Sequence, residues 1–293
     1  GQGGNETHDE LLGYKSLNIR KSLNRYKKNR NNLDENKGRG EIFGSFIKRD
    51  QNNQNLALSY EFLNLGVNLI NPLENSDYVL SLETARQNFT KDHSINHYSF
   101  LTGFNFSSKN FENFILGGAT IHNSERTILT NTTTTGKLDI KDSYYSVNVL
   151  TGSKFKNEKL IPNIGFTTGY SITPQHKETN YYFWEKKSVL NFSTYLEDEY
   201  NFKILNEKNN LNLGWIIDFR KLVYGKEQDY KINGTKATYT QDNDLAEEVT
   251  FSTNVEFINK ISDTKKLAFT LDGFLSTQET SGFQAGINYI MEL

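Results

Sequence analysis

From about residue 40 to the end of the chain, apolar and polar residues alternate in runs of about 9 to 13 residues. In one run the residues on the other side are mostly polar or small, and the apolar side consists of Leu211, Leu213, Trp215, Ile217 and Phe219. Successive side chains of a β-strand point to opposite faces, so each run predicts a strand with one apolar face. Globular strands average only about five or six residues, so the predicted strands are unusually long.

Twelve strands are predicted in this way, and the fold class is therefore all-β. They cover about 40–50, 55–70, 77–88, 96–107, 111–122, 139–151, 160–172, 187–203, 211–224, 248–260, 266–277 and 282–293. The apolar phase changes near Phe62 and Leu63, which suggests a β-bulge. Connections on one side are short, whereas those on the other side, at 123–138, 173–186 and 225–247, are longer.

These strands suit a membrane better than a soluble core. Hydrophobic residues make up only 35% of the chain, and no apolar run reaches the roughly 18 residues of a membrane helix. Strands of this length, tilted by about 40°, span an apolar layer of roughly 25–30 Å. Long loops on one side and short turns on the other are typical of outer-membrane barrels. We therefore predict a 12-stranded antiparallel transmembrane β-barrel. A soluble sandwich or lipocalin-like barrel, with the apolar face inside, is the alternative.

The segment before the barrel differs in charge and period. Residues 1–33 hold seven basic and three acidic residues, although the whole chain has a net charge of −2. Four apolar residues recur at helical spacing: Leu12, Ile19, Leu23 and Tyr26. A barrel of about twelve strands has a lumen on the order of 12–14 Å wide, which one helix about 10–12 Å across would fill. We predict an N-terminal α-helix in the lumen.

Charges taken partly out of water need partners, and the two segments provide them. The helix carries the basic residues Lys15, Arg20, Lys21, Arg25, Lys27 and Lys28. The alternation points these acids toward the lumen: Glu83, Glu197, Glu199, Asp218, Glu256 and Asp272. We predict that the two groups face each other. A solvated basic tail, or a helix lying on anionic lipid, is the alternative.

One family shows the same order of elements. The basic segment 16–25 (SLNIRKSLNR) leads through 38–40 (GRG) to 41–46 (EIFGSF), and twelve amphipathic runs follow, ending in 282–289 (GFQAGINY). This order, from about residue 10 to 293, resembles the translocator (β-domain) of a monomeric autotransporter of the type V secretion pathway. The resemblance implies a passenger remnant or lead at 1–10, a pore-spanning helix and linker at 11–39, and a barrel translocator at 40–293.

The resemblance also implies a function. A passenger ahead of residue 1 would be threaded outward through the barrel, and the helix would then stay in the pore. The last strand resembles the signal read by the barrel assembly machinery: Phe283, Ile287, Tyr289, Met291 and Leu293. Leu293 departs from the usual aromatic last residue. The implied partners are outer-membrane lipid, the assembly machinery and the protein's own N-terminal passenger, and the implied location is the bacterial outer membrane. The barrel is expected to be a monomer.

Two other functions stay open at this point. One is a porin or solute channel with a loose N-terminal extension, and the other is a surface adhesin that binds through the loops at 123–138 and 225–247. Some autotransporters cut their passenger off at an Asn–Asn step just ahead of a Leu-Asn-Lys-Arg-like run. Here Lys15 and Ser16 precede Leu17, so we expect no self-cleavage.

Other chemistry is sparse. The chain has no cysteine and five histidines. Only His93 and His97 lie close in sequence, and as a strand pair they would be about 13 Å apart. Nucleotide-binding and hydrolase motifs do not occur. We predict no enzyme activity, no metal, no cofactor and no nucleic-acid partner.

Overall fold

The computed structural model describes residues 6–30, 37–51, 59–90, 92–129, 136–156, 162–203, 207–242 and 247–293. One helix, α1 (Glu6–Arg30), precedes a closed antiparallel barrel of twelve strands. Four shorter strands form a separate sheet. Among the residues that the structure describes, no helix combines the length and the apolarity needed to cross a bilayer.

The barrel strands agree closely with the predicted runs. They are β1 (Arg39–Gln51), β2 (Tyr60–Pro72), β3 (Asp77–Thr90), β4 (His93–Ser107), β5 (Phe111–Leu129), β6 (Lys137–Phe155), β7 (Asn163–Thr173), β10 (Lys187–Lys203), β11 (Asn209–Tyr224), β14 (Glu247–Lys260), β15 (Lys265–Ser276) and β16 (Thr280–Glu292). Each strand pairs with the next one in the barrel. The barrel closes where β1 pairs with β16 in continuous register, from Arg39 opposite Glu292 to Gln51 opposite Thr280.

The predicted bulge in the second strand is wrong. The register of β2 with both neighbours runs through Phe62 and Leu63 without a shift. Tyr60 and Phe62 are buried on the lumen side, whereas Leu63 is exposed on the outside. The apolar phase changes there because this part of the lumen wall is itself apolar and contacts the helix residue Tyr14.

The alternating apolar residues point away from the lumen. Leu63 exposes 60% of its surface and Leu271 exposes 56%. Other large apolar residues exposed around the barrel include Leu65, Leu82, Phe100, Ile115, Val147, Phe192, Phe251 and Ile287. Such a continuous apolar band is costly in water and suits lipid acyl chains. The soluble alternative, which would place this face inside, is therefore wrong.

Helix α1 runs through the barrel from one end to the other. Its 25 residues correspond to a length of about 37 Å. Glu10 lies near the end of β1, beside Arg49, and Arg25 lies near its start, beside Glu41. The helix therefore begins at the end of the barrel with the long loops (the long-loop end). It finishes at the end with the short turns, such as 73–76 and 261–264 (the short-turn end).

Aromatic rings lie over glycines on the lumen wall. Four directly opposed pairs show this arrangement: Phe43 with Gly66, Phe114 with Gly152, Tyr195 with Gly165, and Phe274 with Gly282. In each pair a methyl group on the glycine would collide with the ring of its partner. The rings lie flat because their neighbours have no side chain, and this keeps the lumen wide enough for α1.

The longer connections hold more structure than the sequence predicts. The sheet outside the barrel consists of β8 (His176–Glu178), β9 (Tyr182–Trp184), β12 (Glu227–Ile232) and β13 (Thr238–Asp242). All four of its strands lie within the predicted loops at 173–186 and 225–247. The predicted loop at 123–138 is mostly strand, because β5 and β6 extend into it, and its residues 130–135 lie outside the described residues.

This outer sheet is fixed to the lumen side of the β5–β6 hairpin. Arg126 on β5 donates two hydrogen bonds to Glu178, of 2.9 and 3.0 Å. His176 bonds to Asp142 on β6, with 2.5 Å between His176 Nδ1 and Asp142 Oδ2. Trp184 also donates a hydrogen bond to Glu178. These buried contacts explain why segments rich in polar residues form strands here.

We expect Gly152→Ala to destabilise the barrel, because its methyl group would overlap the ring of Phe114. Overpacking of this kind costs about 1–3 kcal/mol. The measurement is the temperature at which the refolded barrel loses its faster, folded migration in gel electrophoresis. Gly169→Ala is the matched control, since its methyl group would lie 3.5 Å from Leu150, an ordinary contact. Equal melting of the two variants would contradict the overlap.

Candidate functional site: the lumen and its helix

One face of α1 is apolar and packs on an apolar part of the wall. Leu12, Ile19, Leu23 and Tyr26 are all buried. The wall residues of the same cluster come from β2 to β6: Ile70, Val79, Leu101, Phe114, Leu116 and Leu150. The lumen is therefore not polar throughout, as its small residues suggest, but has one apolar side that matches the thin apolar stripe of the helix.

Arg25 makes the most extensive polar contact between helix and wall. Its guanidinium donates two hydrogen bonds of 2.9 Å to the carboxylate of Glu41 on β1. A further bond of 3.2 Å reaches Glu256 on β14. All three residues are buried, with Glu41 only 1% exposed. Paired bonds of this geometry are stronger and more directional than single ones, so Arg25 fixes the depth and the rotation of the helix.

Arg20 is held by one strand of the wall, β10. It donates a hydrogen bond of 2.7 Å to Glu197 on β10. Lys154 on β6 lies 3.5 Å from the other oxygen of Glu197. The guanidinium carbon of Arg20 lies 3.4 Å from the centre of the Tyr195 ring, a cation–π geometry. The charge of Arg20 is thus satisfied by a carboxylate and an aromatic face on the same strand.

Each of the helix lysines described interacts with a different acidic residue of the wall. Lys21 lies 2.5 Å from Asp272 on β15, and Lys27 lies 2.8 Å from Glu112 on β5. Lys15 donates a hydrogen bond to Ser99 and interacts electrostatically with Glu83 on β3. The side chain of Lys28 lies outside the described residues. The helix cations are therefore distributed over several sides of the barrel.

The structure brings most of the predicted acids to the helix, though not all by direct contact. Glu197, Glu256 and Asp272 form ion pairs with helix cations. Asp218 bonds to Ser193 and lies in the field of Arg20. Glu199 is exposed and lines a cavity at the short-turn end.

Sequence reasoning missed the wall acids Glu41, Glu112 and Glu248, and also one pair with reversed polarity. Glu41 and Glu112 were missed because the phases of the first and fifth strands read equally well either way. Near the long-loop end the polarity is inverted: Arg49 on the wall lies 3.0 Å from Glu10 on the helix and 3.0 Å from Glu248 on β14. The sequence pattern places Glu10 in the lead segment instead. Arg39, Glu41 and Arg49 lie on the same face of β1, and these three charges are the signal that could have revealed this wall.

Two histidines of the lumen, His97 and His122, bond to each other and to neighbouring polar groups. The Nδ1 atoms of His97 and His122 lie 2.7 Å apart. His97 also bonds to Gln87, and His122 to Ser146. Among the described residues no group of three or more histidine, cysteine or acidic side chains is arranged to hold a metal ion.

The terminal strand, β16, pairs with β1 along one edge, and one of its faces points outward toward lipid. Phe283, Ile287 and Leu293 are exposed on the outer face, which also carries Tyr289 and Met291. The backbone N–H of Leu293 donates a 2.9 Å hydrogen bond to the carbonyl of Gly38. The predicted signal residues thus form one outward row beside the closing seam.

Comparisons with known proteins show similarity of fold. No family model matches the sequence, and no curated protein matches it. The translocator domain of the autotransporter NalP from Neisseria meningitidis matches with a TM-score of 0.57 and 10% identity, over 97% of each chain. The β domain of the Bordetella autotransporter BrkA has a TM-score of 0.54 and 7% identity, over 87% of this chain and 99% of that one.

A channel protein has a similar barrel. The toluene transporter TbuX of Ralstonia pickettii matches with a TM-score of 0.52 and 6% identity, over 87% of this chain and 89% of that chain. At such low identity these similarities concern the fold alone. The predicted twelve-stranded barrel with an N-terminal helix is confirmed, and so is its resemblance in fold to autotransporter β-domains. An outer-membrane location agrees with this fold and with the apolar band.

We expect Arg25→Met to destabilise the protein strongly, because Glu41 and Glu256 would stay buried without their shared cation. Breaking a buried pair in this way costs about 3–5 kcal/mol. Thermal unfolding in detergent and tryptic cleavage of the helix both measure the loss. In the control Lys27→Met, the lost partner Glu112 is more exposed, and a cost of about 0–1 kcal/mol is expected. Similar losses in both variants would contradict the role of Arg25.

Proposed function

We propose that this chain is the translocator of an autotransporter, which assists the export of an N-terminal passenger and anchors it at the cell surface. The observation that carries the proposal is the direction of α1. The helix lies in the lumen with its first turn at the long-loop end and its last turn joined to β1 at the short-turn end. A polypeptide attached ahead of such a helix emerges at the outer face.

The ion pairs support a helix that stays in the lumen. Five wall strands supply carboxylates to it: β1, β5, β10, β14 and β15. Buried contacts of this number do not suit a loose extension of the barrel. They suit a segment that remains in place after a passenger has crossed, which is the role that the resemblance implies.

The channel alternative has one observation in its favour. TbuX has a similar barrel fold and is described as a toluene transporter. A barrel that works as a solute channel needs a clear path, however, and here the helix occupies the lumen and contacts its apolar wall. We therefore prefer the translocator. As further parts of the proposal, the barrel assembly machinery inserts the chain, through its terminal strand, into outer-membrane lipid as a monomer.

We expect an epitope-tagged, unstructured passenger fused ahead of residue 1 to reach the surface of intact Gram-negative cells. The measurement is removal of the epitope by external protease. Deletion of residues 280–293 is the control, because it leaves β1 and β15 without their shared partner and should abolish display. A folded barrel that keeps its passenger protected inside intact cells would favour the channel.

We expect the exported chain to stay in one piece, since Lys15 and Ser16 stand where an asparagine step would be needed. The nearest helix asparagine, Asn18, accepts a 2.7 Å hydrogen bond from Asn68 through its side-chain carbonyl. Mass spectrometry of the purified passenger fusion should give one intact mass, and Asn18→Ala should not change it. Two fragments whose masses place a cleavage site between residues 13 and 25 would refute the expectation.

A further inference from the structure

The helix does not fill the lumen on every side. Gly13 is exposed inside the barrel, and Leu17, Lys21 and Asn24 are only half-buried, although most of the helix residues next to them are buried. These four residues follow one another at steps of four, four and three, so they form a single stripe along α1. A β-carbon added to Gly13 would have no neighbour within 4 Å. Open space therefore runs along this stripe.

Two cavities occupy that space. The outer cavity, about 160 Å³, lies between α1 and the wall formed by β10, β11, β14 and β15, on the side of the long-loop end. The inner cavity, about 280 Å³, opens toward the short-turn end beside Lys27 and Glu199. Lys21, Ile216 and Asn254 line both cavities. The two cavities are therefore neighbours, and Lys21, which lines both, pairs with Asp272 on the lining of the outer cavity.

The outer cavity has room for water. Several charged or polar side chains stand on its lining, among them Ser16, Arg20, Arg49, Asp218 and Asp272. Buried polar atoms are nearly always bonded, to protein or to ordered water. A cavity of this volume holds several water molecules, each of which needs about 30 Å³. Water bound to these side chains would make the space continuous for small ions.

We propose that the barrel conducts small ions past the helix, along the wall of β10, β11, β14 and β15, while the helix stays in place. In this proposal the narrowest point lies between the two cavities, where Lys21 and Ile216 line both and Asp272 pairs with Lys21. This activity is separate from passenger export and holds whether or not the chain is a translocator. The permeant species are small hydrated ions such as K⁺ and Cl⁻, since the helix still excludes larger solutes.

The charges along the outer cavity predict its selectivity. Four cations face four anions there: Arg20, Lys21, Arg49 and Arg220, and Glu10, Asp218, Glu248 and Asp272. Opposite charges in equal number give little preference for either sign of ion. Removing Lys21 would leave Asp272 without its partner and shift the balance toward cations.

The first test is the conductance of single refolded barrels in a planar bilayer, in KCl. Lys21→Ala should at least double the wild-type conductance and move the reversal potential in a KCl gradient toward cation selectivity. Lys15→Ala is the matched control, because Lys15 also carries one helix charge but lines neither cavity. Equal effects of the two variants, or a wild-type barrel that does not conduct, would overturn the proposal.

The second test blocks the passage instead of widening it. The chain has no cysteine, so Gly13→Cys can be labelled alone by a water-soluble methanethiosulfonate after folding. Labelling should proceed and should reduce the current by more than half. Gly13→Ala, with room for its methyl group, should conduct like the wild type. A cysteine that does not react, or a label that leaves the current unchanged, would refute the water path.

A tethered helix separates conduction past the helix from conduction after its release. Asn18 and Asn68 lie in hydrogen-bond contact, and cysteines at both positions can be joined by a short bifunctional thiol reagent. The joined barrel should keep the wild-type conductance and the response to Lys21→Ala. If joining abolishes the current, the ions pass only through barrels that have lost the helix, and the proposal is wrong.

Discussion

The match between α1 and its wall governs this structure. An apolar stripe of the helix lies against an apolar side of the lumen, and its cations lie against carboxylates from five strands. Either contact alone would leave the helix free to rotate or slide. Together they fix one orientation, because any rotation places charges against leucine and isoleucine. A charge without a partner in such surroundings is costly.

The sequence predicted the barrel well because long alternation of apolar and polar residues is compatible with few structures besides a strand that is apolar on one face. The ends of most strands agree with the predicted runs to within a few residues, for example at Lys187–Lys203. The lumen was harder to predict. Tyr60 and Phe62 point inward, against the general phase, because they contact Tyr14 on a helix that is distant in sequence. Likewise, Glu41 could not be predicted as the partner of Arg25, because the sequence does not show which face of β1 points into the lumen.

The ring–glycine pairs and the outer sheet were beyond sequence reasoning for a related cause. The sequence shows Gly152 only as a small residue of the lumen wall. Its role is to leave room for the ring of Phe114, which stands directly opposite on β5. The short strands β8, β9, β12 and β13 depend on bonds to Arg126 and Asp142 on the β5–β6 hairpin. Cross-strand register determines both features, and the pattern of one strand does not contain it.

The inverted pair at the long-loop end has a consequence for movement along the barrel axis. Arg49 binds the helix through Glu10, whereas the wall around Arg25 is acidic. If α1 were displaced by one turn in the inward direction, a different helix residue would face each of these charges and the matched pairs would be lost together. A segment drawn outward through the pore would therefore reach only one depth at which all the ion pairs with the wall form together. In the translocation that we propose, the wall would therefore be an electrostatic stop that ends travel at a defined residue.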